Sequence, residues 1–426
     1  METMRTVVRR LSAAFLAAAV LGGCAGVGGT TTRPNDRPPP TPAPSPSTAE
    51  PTQPAVAPDT PTSWGPTEGE LAEAEELVSA MSVAEKVATV LMPGFWGYDG
   101  EAPAPAEAAA NQRMHGVDTA VEAVATHGFG GVFLRPEVIA DADQVATLTS
   151  QLHAVGDQPA GLPLLVSIDQ EGGAVQRLQV GVDPVPSAAS VGATGDPSYA
   201  REVARANGTS LRELGVTMVM APVADVDPTG GSETGSRGYS TDVRAAASMV
   251  VATMKGYLDV GIVPVVKHFP GLGSVVGDSH LSLPVQPKSV PELRATDLVP
   301  FAAAVRAGAP VVMTGHVAVE ALDPGIPAST SEAVVEGLLR DELGFEGVVV
   351  TDSQGMGPVY ARWGSGESAV RSLLAGNDLV LNSPEPDEAR RAVARAVAGG
   401  RLPEERLDEA AVRVLALRMY QQRLAG

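Results

Sequence analysis

Between Leu71 and the C-terminus, short runs of branched apolar residues recur eight times, each followed by an alanine-rich amphipathic segment. The runs are ATVLMPGF, GGVFL, PLLVSID, VTMVMAPVAD, VPVVKHF, PVVMTGHV, GVVVTD and DLVLN. A run that is apolar on both faces suits a strand covered on both sides, as in a parallel sheet, and the segment after it supplies the crossover. Helical periodicity is clear in stretches such as ADQVATLTSQLHAV, TDVRAAASMVVATMKGYL, SEAVVEGLLRDELG, ESAVRSLLAG and EARRAVARAVAGG. Eight such units predict an α/β chain folded as a (β/α)8 TIM-type barrel. The last segment, PEERLDEAAVRVLALRMYQQRL, predicts one more amphipathic helix on the outside.

The chain before the barrel follows different rules. Arg5, Arg9 and Arg10 precede the apolar run LSAAFLAAAVLGG, which is shorter than the roughly 20 residues a transmembrane helix needs and reads as a signal-peptide core. Leu21-Gly22-Gly23-Cys24 resembles a bacterial lipobox, in which cleavage precedes a cysteine that receives lipid. From Ala25 to about Gly69 Pro, Thr, Ser and Ala dominate, a composition that cannot bury enough apolar surface to fold. The expected organisation is a signal peptide over 1–23, a lipidated Cys24 with a linker over 24–69, and a single barrel over 70–426. The expected location is extracytoplasmic, on the membrane through the anchor at Cys24.

Cys24 is the only cysteine, which excludes an internal disulfide, a thiolate zinc cluster and an iron–sulfur site. The formal net charge is −20, and Lys86, Lys255, Lys267 and Lys288 are the only lysines. No basic surface is available to neutralise a phosphate backbone, so nucleic acid is not expected as a partner. A monomer acting on a neutral or weakly charged small substrate, without a cofactor, is the expectation.

Polar residues fall where a barrel would use them. Asp169, Asp225, Lys267 with His268, His316, Asp352 and Asn382 each stand at or just past the C-terminal end of an apolar run, the rim that carries the chemistry of barrel enzymes. Asp352, delivered by GVVVT into a turn, is suited to be a nucleophile, a general base, a metal ligand or a turn cap. The segment KHFPGLGSVVGDSH, residues 267–280, concentrates a lysine, two histidines and an aspartate in a chain with only six histidines. Asp278 and His280, two apart in extended backbone, point to one side, so the carboxylate can hold one imidazole nitrogen and leave the other for proton transfer. Alternatively His268, His280, His316 and nearby aspartates suit a divalent metal, although no pair has the helical spacing of a zincin. The Asn207-Gly-Thr triplet matches a glycosylation acceptor but sits inside a predicted helix.

KHFPGLG followed by DSH resembles the signature of glycoside hydrolase family 3, in particular its single-barrel β-N-acetylglucosaminidases, which usually show KHFPGHG and DSH. MSVAEKVATVLMPGF, SIDQEGGAVQRL, MAPVADVDP, TGHVAVEALDPGIPAST, LLRDELGFEGVVVTDSQGM and AGNDLVL follow in the family's order. The resemblance implies that Asp352 is the nucleophile and His280, paired with Asp278, the general acid/base. It implies that Asp169, Arg177, Lys267 and His268 bind sugar hydroxyls, with Arg237 in TGSRGYSTD corresponding to the arginine of an RSFG-like loop. The implied activity is retaining hydrolysis of terminal N-acetylglucosamine from cell-wall fragments, with a β-glucosidase or N-acetylglucosaminide phosphorylase of the family, or a lipoprotein that binds wall fragments without cleaving them, as the alternatives. β-Glucosidases of the family usually draw the acid/base from a second domain after the barrel, whereas this chain ends soon after the eighth run. The chain departs from the pattern at Leu272, where the family has histidine, at Ala174, where it has arginine, and at Gly238-Tyr239-Ser240.

Overall fold

A computed structural model describes residues 57–156, 161–227, 234–275, 279 and 281–426. The expected signal peptide, Cys24 and most of the linker lie outside the described residues, as do Asp278 and His280. Each apolar run contains a strand: β1 Leu91–Met92, β2 Gly131–Leu134, β3 Leu165–Ile168, β4 Met218–Val219, β5 Val263–Phe269, β6 Val311–Thr314, β7 Val348–Thr351 and β8 Val380–Leu381. Strands β2 to β7 form one parallel sheet in chain order. Val350 bridges to Leu379 beside β8, β8 pairs in parallel with β1, and the Phe133 N–H of β2 donates to the Pro93 carbonyl just after β1. The ring is therefore closed, and the chain is a (β/α)8 barrel.

Every residue of β2, β3, β5, β6 and β7 is buried, which is why these runs lack the alternation of a half-exposed strand. Around them lie the helices Ala142–Gly156, Pro197–Glu213, Val243–Leu258, Leu298–Arg306 and Pro386–Ala398. Helix starts are written locally: Thr67 with Glu70, Ser82 with Glu85 and Thr119 with Glu122 form reciprocal capping boxes. The last helix, Glu404–Ala425, packs on the first, Glu68–Ala80, where Arg423 Nε donates to Glu70 Oε1 at 2.8 Å.

Some elements differ from the sequence reading. The helix expected over ESAVRSLLAG begins earlier, at Gly357, and bends at Gly364, whose φ of +66° a non-glycine residue rarely adopts. Ala333–Glu342 is helical as expected but of the wide π type, with Leu343 N–H reaching back to the Leu338 carbonyl. A short antiparallel pair, Gln170–Gly172 with Val175–Gln176, follows β3. Asn207 of the glycosylation-like triplet is buried, its amide donating to the Gln170 carbonyl at 3.0 Å and to Tyr257 Oη at 2.8 Å. It is therefore a structural residue of its helix.

At the N-terminal end of the barrel Asp378, fully buried just before β8, accepts from Arg340 at 2.6 Å, Arg406 at 2.8 Å, Arg413 at 3.1 Å and the Val349 N–H at 2.9 Å. Burial raises its pKa, but the three guanidinium groups outweigh burial and hold it at about 2. This carboxylate ties β7 and β8 to the π helix and the last helix. It closes the end of the barrel opposite the site described next.

Candidate active site

The strand Val263–Phe269 carries Lys267 and His268 to the rim. Its pairing with β6 shifts register between Val266 and Phe269, a bulge that re-aims consecutive side chains, and both residues line the same pocket. The peptide bond between them is cis. The pocket opens at the C-terminal mouth, has a volume of about 170 Å3, and is also lined by Asp169, Arg177, Arg237 and Asp352.

Lys267 is buried, its Nζ donating to Asp169 Oδ1 at 2.9 Å and lying 2.7 Å from Glu171 Oε1. Arg237 grips the same Glu171 with two parallel bonds of 2.8 Å from Nε and Nη2. Burial raises the Glu171 pKa, yet the Lys267 ammonium and the Arg237 guanidinium bring it down to about 2. Burial lowers the Lys267 pKa, and Asp169 and Glu171 more than reverse this, so its ammonium is held above the ordinary lysine value. The three groups form one compensated unit, with the cationic heads fixed toward the cavity.

His268 is held from behind. Its Nδ1–H donates to Asp225 Oδ2 at 2.7 Å, and Arg237 Nη2 lies 3.3 Å from Nε2. The other oxygen of the buried Asp225 accepts the backbone N–H of Leu272 at 2.7 Å and that of His268 at 3.3 Å. Leu272, where the family pattern has histidine, is itself fully buried in the apolar cluster with Phe269 and Phe301. A Cβ at Gly273 would run into the Val226 backbone, so the glycine serves close chain packing.

Asp352 follows β7 and is half-buried, with Oδ1 accepting the Ser353 N–H at 2.7 Å. Burial raises its pKa, but the electrostatic influence of His268 and His316, the Ser353 N–H and the Lys267 ammonium together hold it below the ordinary 3.8. His316 fixes the turn after it: Nε2–H donates to the Ser353 carbonyl at 2.9 Å, and Nδ1 accepts from Ser329 Oγ at 2.7 Å. Asn382, in the left-handed region at φ +47°, donates to Ser353 Oγ at 2.9 Å.

The structure thus brings together Asp169, Arg177, Arg237, Lys267, His268 and Asp352. Arg177 is exposed at the pocket edge. Ser279 of the DSH motif is buried and lines the pocket, while its neighbours Asp278 and His280 lie outside the described residues. Glu171, on which two of the cations depend, went unassigned in the sequence reading. Its place in SIDQEGG marked it only as a polar residue after a strand. Among the described residues no group of three or more His, Cys, Asp or Glu side chains is arranged to hold a metal ion, and no helix is long and apolar enough to cross a membrane.

A carboxylate kept ionised on a pocket lined by fixed cationic and acidic hydrogen-bonding groups, at the mouth of a (β/α)8 barrel, is the build of a glycoside hydrolase. Residues 82–417 match the glycosyl hydrolase family 3 N-terminal domain. The chain belongs to that family and is a glycoside hydrolase. Among curated relatives, a β-hexosaminidase of Thiobacillus denitrificans is 36% identical over 272 residues, covering 62% of this chain and 74% of the relative. One from Thioalkalivibrio sulfidiphilus is 37% identical over 268 residues, covering 62% and 76%. Among solved structures, a family 3 β-N-acetylglucosaminidase of Paenibacillus matches with a TM-score of 0.74 at 36% identity, over 82% of this chain and 64% of that one. A β-N-acetylhexosaminidase of Beutenbergia cavernae matches with a TM-score of 0.69 at 32% identity, over 80% and 99%.

Proposed function

We propose that the protein is a retaining β-N-acetylhexosaminidase that removes terminal β-linked N-acetylglucosamine from peptidoglycan fragments. The observation that carries this reading is Asp352, ionised and oriented on the pocket floor among groups that match sugar hydroxyls in kind. The names of the similar proteins support the N-acetylated glycone. In this mechanism the Asp352 carboxylate attacks the anomeric carbon as the glycosidic bond breaks, and His280, paired with Asp278, gives its proton to the leaving oxygen. Water then enters, losing a proton to His280 as it displaces Asp352, so the β configuration is restored. Lys267, His268, Asp169, Arg177 and Arg237 hold the ring by hydrogen bonds to its hydroxyls, and those that the Asp169 carboxylate accepts strengthen as positive charge develops on the sugar.

The test compares aryl β-N-acetylglucosaminide with aryl β-glucoside on the protein from about residue 57, which keeps the buried Trp64. Preference for the N-acetyl sugar is expected. Equal or better turnover of the glucoside, or none of either, would remove the reading.

The reading includes export and a lipid anchor at Cys24, supported by the basic segment, the short apolar run and LGGC. Cys24→Ser is expected to move the full chain from the detergent phase to the aqueous phase on partitioning of a bacterial host's membranes. Unchanged partitioning would exclude the anchor.

A further inference from the structure

The stretch between Ser274 and Val285 carries Asp278, Ser279 and His280, and both of its ends are tied to one carboxylate that has no part in the chemistry above. Asp297 stands in the turn between the helices Val290–Ala295 and Leu298–Arg306 and is fully buried. Its Oδ1 accepts from Ser274 Oγ at 2.7 Å, where the stretch begins, and from Gln286 Nε2 at 3.3 Å, just past its end. Oδ2 accepts from Thr296 Oγ1 at 2.6 Å and from the Lys288 ammonium. That ammonium also donates to Ser274 Oγ at 2.5 Å and to Thr296 Oγ1 at 3.0 Å, so one ion pair holds both ends.

Each end is also fixed to the barrel. Before Ser274, Gly271 takes a φ of +123°, and a Cβ there would lie 2.9 Å from the Asp297 Cβ, so only glycine lets the KHFPG turn pack against Asp297. Leu272, next to it, is buried with its N–H on Asp225, the support of His268. At the other end Val285–Gln286 pairs in parallel with Ala318–Val319, beyond β6, and Gln286 is fully buried. Ser279, within the stretch, is buried and lines the enclosed pocket. The chain thus runs from the Asp297 carboxylate to the pocket and back. A buried carboxylate with all its partners in place is a rigid anchor, and cutting one partner leaves charge or polarity uncompensated.

We propose that Asp297 and Lys288 are positioning residues for the acid/base: they fix both ends of the stretch that carries His280 and so set where the proton donor stands relative to the leaving oxygen. The inference rests on the hexosaminidase reading, in which His280 gives that proton. A proton donor acts only within about 3 Å of the atom it serves, and a misplacement of about 1 Å costs on the order of a hundredfold. Damage to the sugar pocket slows every substrate, whereas a displaced acid slows only those whose leaving group needs a proton. The test therefore compares kcat/KM for 2,4-dinitrophenyl β-N-acetylglucosaminide, whose leaving group departs as the anion, with that for the phenyl glycoside, whose leaving group needs the proton.

The ratio of dinitrophenyl to phenyl kcat/KM should rise about tenfold or more over wild type in Asp297→Asn and Lys288→Met, and by less in Ser274→Ala, which cuts one tie and keeps the ion pair. His280→Ala, which removes the acid itself, sets the upper limit. Ser274→Ala decides the matter if the two charge variants do not fold. A wild-type ratio in every folded variant of Asp297, Lys288 and Ser274, with or without a loss of absolute rate, overturns the proposal alone. A wild-type ratio in His280→Ala overturns the acid assignment and the proposal with it, and a wild type that turns over neither glycoside overturns the hexosaminidase reading as well.

Discussion

Asp352→Ala is expected to lower kcat on aryl β-N-acetylglucosaminide on the order of ten-thousandfold or more, the size of effect seen when a nucleophile that acts as part of a unit is removed. Its neighbours explain why the loss should fall on kcat and not on binding. Lys267 keeps its pair with Asp169, and Arg237 its pair with Glu171, without Asp352, so the sugar site survives while the attacking atom does not. A small external anion such as azide, fitting the space left by the carboxyl group, should restore turnover with inversion at the anomeric carbon. The wild-type acid limb should lie below the ordinary aspartate value of 3.8, because the net effect of the surrounding groups is to favour the ionised form. An Asp352→Ala protein retaining a tenth or more of wild-type kcat would show that another group attacks the sugar.

Glu171→Gln is expected to damage both stability and activity. The side chain is 5% exposed and lies against Lys267 and Arg237. Removing its charge leaves two buried cations with Asp169 as the remaining partner of Lys267, and breaking such a buried arrangement costs about 3 to 5 kcal/mol. The folded pKa of about 2 lies below the ordinary 4.5, a difference worth on the order of 3 kcal/mol. The sign follows from the depressed value: this stabilisation is fully present above 4.5 and is lost as the pH falls toward and through about 2. Urea unfolding should therefore show a large gap between wild type and variant at pH 7 that narrows at pH 3. Because the released cations no longer hold their positions over the ring, kcat/KM should also fall on the order of a hundredfold. A variant of wild-type stability at pH 7 would show that Glu171 does not organise the pocket.

Much of this architecture can be read locally. The eight strands stand out because a strand covered on both faces must be apolar throughout, and runs such as LLVSI and VVMT have no other use in so alanine-rich a chain. Capping boxes at Thr67, Ser82 and Thr119 are likewise short-range chemistry. The early start and the bend of the helix Gly357–Leu374 were hidden because Gly364 sits inside it and interrupts the apolar periodicity. The π helix was hidden because i→i+5 bonding leaves no distinct periodicity over so few turns.

For the site, sequence alone determined that Asp169, Lys267, His268 and Asp352 stand at the C-terminal ends of barrel strands, since strand direction and length set where each run must end. Tertiary structure decided what those positions mean. Glu171 became the shared partner of Lys267 and Arg237, and Asp225 the support of His268. None of these pairings follows from spacing along the chain, because closing the barrel brings together residues far apart in sequence, and burial then makes each charge depend on the partner that closure supplies. Asp378 and Asp352 show the same division: both are aspartates beside buried strands, and the end of the barrel each occupies decides whether it braces the fold or faces the pocket.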